Sequence, residues 1–407
     1  MTTVHLDEIK QEMVLSEDVI DVTGRLLLQK GHKIKPSHVN IIKKWGITEV
    51  NVVGDSTGEE IDHDNVDFQG DEEIDHETLN LFQHTDLDHP ATKELYRLAI
   101  LFKKYRNIPE MDSKTTHNES ETHHNPPKKD IRKKISQKDL KMPEIPSIVL
   151  ELNEILSNPL STADNLAQVV SKSPSLTAVL LRIVNSSYYG FTSRIDTITR
   201  AVTMIGTREI SSLALVICTI SVFKHIPRET LDMHAFLRHS FTCGLISRMM
   251  AANRNIRETE QLFVSGLLHD IGRLVVYSYF PQAAKSLLIH CQNTERMLLD
   301  EETRFLGYTH TDISRFLLQE WNFPSQIEDS IFYHHDPMAS NDPIQATIVH
   351  LSDIVVNALG IGSSGERYVP PLNHDAWENL GLSPSSFEVI IRQAIHQLSV
   401  LEPFLQS

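Results

Sequence analysis

The hydrophobic pattern changes character twice along the chain. From residue 142 onward apolar residues recur at spacings of three and four, as in Leu176, Val179, Leu180, Ile183 and Val184. That spacing predicts helices with one buried face. Strand-like alternation is nearly absent there. Ser161-Thr-Ala-Asp164, Ser173-Pro174 and Ser383-Pro384 supply the capping residues and first-turn prolines that open helices. Some 265 residues of this kind are ample for a sizeable helical core. Residues 1–54 read differently. Stretches 13–20 and 25–31 predict two short strands, joined where Gly24 can close a turn at positive φ. A short helix over 36–45, with Val39 and Ile42 on one side, stops at Gly46, and 48–53 predicts a third strand. The fold class expected is mainly α, an all-helical domain preceded by a small β-rich N-terminal unit.

Between these parts, residues 56–130 hold 18 acidic and 8 basic residues, so ten of the sixteen net negative charges lie there. The acidic run 55–75 and the polar stretch 109–127 read as linker. One helix over 92–105 separates them, because Leu95, Leu98, Ala99, Leu101 and Phe102 fall at helical spacing. The expected division is therefore a unit at 1–54, a linker at 55–135 and a helical domain over 136–407.

A chain of 407 residues is too long for one ordinary domain. With 38 basic and 54 acidic residues its formal charge is −16, which argues against broad charge-driven binding of nucleic acid. Cys218, Cys243 and Cys291 cannot all pair and form no CxxC, which excludes a disulfide framework and a thiolate zinc knuckle. No stretch approaches the roughly 18 apolar residues of a membrane span. The first residues are acidic where a signal peptide begins positive, so a cytoplasmic chain without a membrane association is expected. Helical domains with exposed apolar faces often pair, which leaves a homodimer open. There are 21 histidines, and seven (His63, His76, His84, His89, His117, His123 and His124) fall in the expected linker. His123-His124 either scavenges metal or is simply solvated.

The histidines that carry chemistry lie in the helical region, with His239, then Gly266-Leu-Leu-His269-Asp270-Ile-Gly272-Arg273, His310, His334-His335, and His350 with Asp353. A single histidine on an apolar helix is usually a hydrogen-bonded core residue, and His334-His335 could merely end a helix. The adjacent His269-Asp270 weighs more. Neighbours on a helix point about 100° apart, and an otherwise apolar segment (Leu262, Phe263, Leu267, Leu268, Ile271) needs a reason to bury a charge. A metal supplies one, since a cation offsets the carboxylate and fixes the imidazole tautomer. Imidazole and carboxylate without thiolate suit iron, manganese, nickel or zinc. An aspartate bridging two ions would set them roughly 3.5–4 Å apart and activate a shared water. Arg273 shares a face with the pair. It either holds a phosphate oxygen or answers a helix C-terminal dipole. Asn185, Tyr188 and Tyr189, just before Gly190, form either a weak binding surface or a structural corner in which Gly190 ends a helix and the tyrosines pack beside it.

In order and approximate spacing, His239, His269-Asp270, His310, His334-His335 and Asp353 resemble the HD superfamily of metal-dependent phosphohydrolases. The upstream half is similar to the HDOD family, through Met142-Pro-Glu-Ile-Pro146, Ser171-Lys-Ser-Pro-Ser-Leu-Thr177, Leu180-Leu-Arg-Ile-Val-Asn-Ser-Ser-Tyr-Tyr-Gly190, 195–202 and Met204-Ile-Gly206. The likeness covers about residues 140–350, and the β-rich start resembles the segment often found ahead of bacterial HD-type signalling domains. The resemblance implies a compact, helical, bacterial signal-transduction module that acts through a protein partner or a nucleotide ligand. It implies His239, His269, Asp270, His310, His334, His335 and Asp353 as ligands of one or two divalent ions. The alternative it implies is a metal-dependent phosphohydrolase with Asp270 and Arg273 as catalytic residues, Arg273 neutralising transition-state charge. A third is a metal-dependent sensor without turnover. The related HD-GYP phosphodiesterases cleave cyclic di-GMP, and the chain departs from them in three ways. Arg273 stands in place of a lysine, Asp336-Pro337 follows His334-His335 where GYP is absent, and Ala235 occupies the position of a glutamate used by three-metal members. The expectation is a regulatory module rather than a cyclic di-GMP hydrolase.

Overall fold

The computed structural model describes residues 75–105 and 143–405 apart from 159, 187, 188, 190, 192, 224, 225, 228 and 229; of the first 53 it describes 2–5, 13–16, 19, 20, 26–28, 30, 31, 34 and 49–53. Among these N-terminal residues β1 (Thr2–His5) and β2 (Val14–Leu15) lie antiparallel on either side of a central strand, β5 (Glu49–Val53). β3 (Val19–Ile20) pairs with β4 (Leu26–Leu28). The strand at Thr2–His5 was not among those expected. The turn at Gly24 and the helix over 36–45 lie outside the described residues.

Helix α2 (Pro90–Tyr105) is the helix expected over 92–105, whereas α1 (His76–Leu81) was not expected, and both pack on the helical core instead of standing in a linker. Phe82, Ala91, Leu95, Leu98 and Ala99 belong to the same buried core as the rest of the helices. The Val369 N–H donates to the Leu81 carbonyl at 2.8 Å, and Arg97 reaches Glu388 at 3.3 Å. The apolar stripe over 95–102 is visible in the sequence, but its packing on the core is not, because one apolar helix face does not say what covers it.

The described helices from residue 143 onward are α3 (Ser147–Ser157), α4 (Ala163–Ser171), α5 (Pro174–Val184), α6 (Ile198–Ile205), α7 (Thr207–Ser221), α8 (Met233–Asn253), α9 (Thr259–Leu268), α10 (Ile271–Tyr279), α11 (Pro281–Thr294), α12 (Leu298–Leu306), α13 (His310–Glu320), α14 (Ser325–Phe332), α15 (Pro343–Ala358), α16 (His374–Leu380) and α17 (Ser386–Leu405). The structure is mainly helical, as expected. Thr162 closes a reciprocal capping box with Asn165 ahead of α4, and Ser173 caps α5 with Pro174 at its first position. Ser383-Pro384 falls short of the helix it was expected to start. It makes a turn, with the Ser386 N–H on the Ser383 carbonyl, and α17 opens two residues later.

α8 is the hub and packs on α9, α15 and α17. Its buried residues, among them Phe236, His239, Phe241, Cys243, Leu245 and Met250, run round the whole helix, as a central helix requires. Small polar side chains tie its neighbours in. Ser247 donates to Ser352 between α8 and α15, and Ser330 donates to Ser265 between α14 and α9, both at 2.8 Å. No helix among the described residues is long and apolar enough to cross a membrane.

Candidate metal centre

The centre is built where helices stop or touch. α9 ends at Leu268 and α10 begins at Ile271, so His269 (φ −54°, ψ −37°) and Asp270 (φ −98°, ψ 16°) occupy the junction. The divergence of about 100° expected for neighbours on a continuous helix therefore does not hold, because the break lets both side chains aim at one place. The flanking glycines make the junction possible. A Cβ on Gly266 would lie 2.7 Å from the Cys243 carbonyl oxygen, and one on Gly272 only 2.0 Å from the His310 carbonyl oxygen. Their bare backbones bring α8 with His239, and α13 with His310, against the His-Asp pair. Thr309 and Asp312 form a capping box that starts α13 at His310, and His334-His335 lie in the turn after α14. Asp353 comes from the middle of α15.

All seven expected ligands converge, in two groups that share Asp270. In the first, His239 Nε2 is 3.4 Å from His269 Nε2 and 3.2 Å from Asp353 Oδ1, while His269 Nε2 is 3.4 Å from Asp353 Oδ1 and 3.3 Å from Asp270 Oδ2. In the second, His310 Nε2 is 3.2 Å from both Asp270 Oδ1 and His335 Nε2, and a nitrogen of His334 completes the set. Every member except His335 is buried.

Ring orientation follows from the other nitrogen. His269 Nδ1 donates to the Gly266 carbonyl at 2.8 Å, His334 Nδ1 to the Ile331 carbonyl at 2.6 Å, and His310 Nδ1 to Glu302 at 2.7 Å. A neutral ring held in this way presents an Nε2 lone pair to the centre. Asp270 Oδ1 and His334 Nε2 accordingly have no hydrogen-bond partner. Lone pairs facing carboxylate oxygens at 3.2–3.4 Å repel one another unless a cation lies among them.

The charges agree. At the core, the buried carboxyls of Asp270, Asp353 and Glu302 outnumber the buried guanidinium of Arg273, which pairs with Asp270 and Glu302. Burial opposes charge on His269, yet Asp270 and Asp353 outweigh it and hold the imidazole up at about 10. A proton can thus supply the positive charge the site demands, and a divalent ion would supply it more fully. Burial, helped by His269 and His310, pushes His334 down to about 3, while burial and His334 hold His335 well below the usual range. Against the penalty of burial, Arg273 and His269 hold the Asp270 carboxyl well down, and His239 and His269 do the same for Asp353. Neutral imidazoles and ionised carboxylates are the forms that ligate metal.

Arg273 is not where the dipole reading puts it. It is the third residue of α10, not at a helix C-terminus, so the dipole reading fails. Its Nη1 donates to Ser364 Oγ at 2.7 Å and lies 3.3 Å from Asp270 Oδ2, with Nε 3.5 Å from Glu302 Oε1. Ser364 belongs to a turn that covers this side of the centre. Ser363 N–H bonds to the Ala235 carbonyl, and a Cβ on Gly362 would strike the backbone of Ala235 and His239.

Three supporting residues escape the sequence reading. They are Glu302, which orients His310, Ser364, and Cys243, whose Sγ is 3.7 Å from His239 Nε2. Glu302 alone leaves a trace in the pattern, sitting four residues after Leu298 and three before Phe305 on the buried face of α12. His350, which the sequence singles out beside Asp353, supports the centre from behind: its Nδ1 donates to the His334 carbonyl at 2.8 Å and its Nε2 accepts from the Asn373 N–H. Asn185 and Tyr189 are not part of the centre. Asn185 caps α5, so the helix ends there and not at Gly190, and its amide clamps both the N–H and the carbonyl of Ile195 at 2.7 Å. Tyr189 donates to Glu209 at 2.8 Å, and Tyr188 lies outside the described residues.

Residues 142–337 match the model of the HDOD domain family. The chain carries an HDOD domain. The match takes in every expected ligand except Asp353, which α15 adds beyond its end. An HDOD domain protein of unknown function from Geobacter sulfurreducens has the same fold, with TM-score 0.57 and 21% identity over 65% of this chain and 93% of its own. A protein from Shewanella amazonensis SB2B, provisionally described as a phosphohydrolase, superposes with TM-score 0.53 and 20% identity over 65% of this chain and 97% of its own. An uncharacterized protein of Treponema pallidum (strain Nichols) is 27% identical over 199 residues, 48% of this chain. That match spans 38% of the Treponema protein's length.

Proposed function

We propose that the chain is a regulatory module of the HDOD type, built around a centre for one or two divalent ions, that acts by binding a protein partner or a nucleotide. The observation that carries this reading is the engagement of Arg273. The guanidinium that a substrate phosphate would need is already held by Asp270, Glu302 and Ser364, and it is itself buried. In this reading His239, His269 and Asp353 serve one position, His310, His334 and His335 the other, and Asp270 bridges them. Arg273 balances charge and steadies Asp270. The centre joins α8, the α9–α10 junction, α13, the end of α14 and α15, so it fixes the shape of the helical surface offered to a partner. The unit at 1–54 and the acidic segment that follows tune where that surface is presented.

A second reading, a metal-dependent phosphohydrolase, is favoured by one observation, that the two oxygens of Asp270 face two separate donor groups. A bound divalent ion would supply Lewis-acid polarisation of a phosphoryl oxygen. Arg273 would then have to leave Ser364 to meet the substrate.

The test is metal content by mass spectrometry of the full chain, purified without chelator, beside a His269→Ala/Asp270→Ala variant that corrects for metal held elsewhere. Both proteins are then assayed on cyclic and linear dinucleotides. One to two ions per chain, lost in the variant, with no hydrolysis above the variant's, is the expected result. Turnover confined to the metal-loaded chain would replace the regulatory reading with the second. Equal metal in both proteins would remove the centre from either.

A further inference from the structure

The two positions of the centre are not chemically alike. The second is surrounded by imidazole and carboxylate alone. The first has a sulfur beside it. Cys243 lies one turn after His239 on α8, fully buried, and its Sγ stands 3.7 Å from His239 Nε2. Donor atoms of His239, Cys243, His269 and Asp353 all lie within 4.8 Å of one another. Zinc–nitrogen bonds of about 2.1 Å and a zinc–sulfur bond of about 2.3 Å, at tetrahedral angles, separate nitrogen from nitrogen by about 3.4 Å and nitrogen from sulfur by about 3.6 Å. The separations here are 3.4 Å between His239 and His269 and 3.7 Å between His239 and Cys243.

A buried cysteine is commonly small apolar filler. Filler has no need to set its sulfur at ligand-to-ligand distance from an imidazole nitrogen, in a cluster where the other donors are two imidazoles and a carboxylate. Cys243 is also placed by the same contact that places His269, since α9 meets its carbonyl through Gly266.

We propose that Cys243 is a thiolate ligand of the first metal position. The inference rests on the reading of the cluster as a metal centre. On binding, the S–H bond breaks, the S–metal bond forms and the proton leaves to solvent. The thiolate makes this position prefer borderline-soft ions such as zinc, and leaves the nitrogen–oxygen position to harder ions such as manganese.

The full chain loaded with cobalt(II) reads this directly, because thiolate-bound cobalt gives an intense near-ultraviolet charge-transfer band that imidazole and carboxylate ligands do not. The band is expected in the native chain and in a Cys218→Ser/Cys291→Ser variant, and absent from Cys243→Ser while cobalt stays bound. In zinc–manganese competition, Cys243→Ser should lower the preference for zinc by about tenfold or more, at least the loss that removing a supporting partner of a ligand produces. Cobalt bound at the centre without the band, or a band that survives in Cys243→Ser, overturns the proposal and leaves the metal centre standing. Cobalt uptake equal in the native chain and in His269→Ala/Asp270→Ala overturns the metal centre and the proposal together. The native spectrum decides the matter even if Cys243→Ser fails to fold, with circular dichroism reporting that failure.

Discussion

Glu302 does for His310 what a backbone carbonyl does for His269 and for His334. It accepts from Nδ1 at 2.7 Å and from the His310 backbone N–H at 2.7 Å, so one carboxylate fixes both the ring and the first turn of α13. His310 and Arg273 in turn hold the buried carboxyl below its usual range against the penalty of burial. This carboxylate–histidine pair raises the basicity of the nitrogen aimed at the centre. Glu302→Gln keeps an acceptor for Nδ1 but removes the charge, so metal affinity should fall about 10–100-fold. A competitive titration against a chromophoric chelator checks it, and unchanged affinity would reduce Glu302 to a packing residue. Glu302→Ala should also lose stability of about 1–3 kcal/mol, because a buried N–H is left without an acceptor. The position is hard to read in advance, since Asp300-Glu301-Glu302 looks like solvated surface. Glu301 is as buried as Glu302 but pairs with the exposed Arg296 and Arg304, so the two neighbours take different partners that residue type does not distinguish.

At the scale of elements, the sequence is most informative where periodicity and residue type speak together. The helices beyond residue 142 and the order of the histidines are legible for that reason. Contacts made by the absence of a side chain are not, because a glycine in a helical run reads only as a weak spot. Gly272 stands among the buried residues of α10, and nothing in its spacing says that the His310 carbonyl lies where its Cβ would be. The same blindness applies to Gly362, whose positive φ of 68° and contact with Ala235 and His239 let the turn carrying Ser364 close on Arg273. The helix at 90–105 is a different case. Its apolar stripe is plain, but whether a stripe packs on the core or stands alone in a linker is a tertiary fact. Gly272→Ala tests the contact between α10 and α13. The clash is with backbone, which cannot rotate aside, so overpacking should cost about 1–3 kcal/mol. Thermal unfolding should fall by several degrees, and the metal content of the purified protein should fall with it, because His310 moves with α13. A variant with native metal content and native melting temperature would show the two helices to be free to part.

For the whole molecule, the centre is where five separate stretches of the described chain, spread from residue 239 to residue 353, bring ionised or lone-pair groups together. With no metal ion the folded state must hold the buried carboxylates out of water against Arg273 and a proton on His269 alone, and the unfolded chain has no such burden. An ion that binds the folded arrangement and not the dispersed ligands therefore stabilises the fold by mass action. At 100 to 1,000 times its dissociation constant that stabilisation is about 2.7–4 kcal/mol. For a helical body of this size each kcal/mol moves the midpoint by roughly 2–4 °C. Chelator should accordingly lower the melting temperature by about 5–15 °C, and returning zinc or manganese should restore it. The His269→Ala/Asp270→Ala variant should melt at one temperature with or without chelator, since its site can no longer gather a cation. That insensitivity separates the centre from metal held by exposed histidines, which ligate as readily in the unfolded chain and so contribute little to the midpoint. If the native chain melts identically in chelator and in saturating metal, the seven convergent side chains are held by packing alone, and the regulatory reading loses the element that gives its surface a fixed shape.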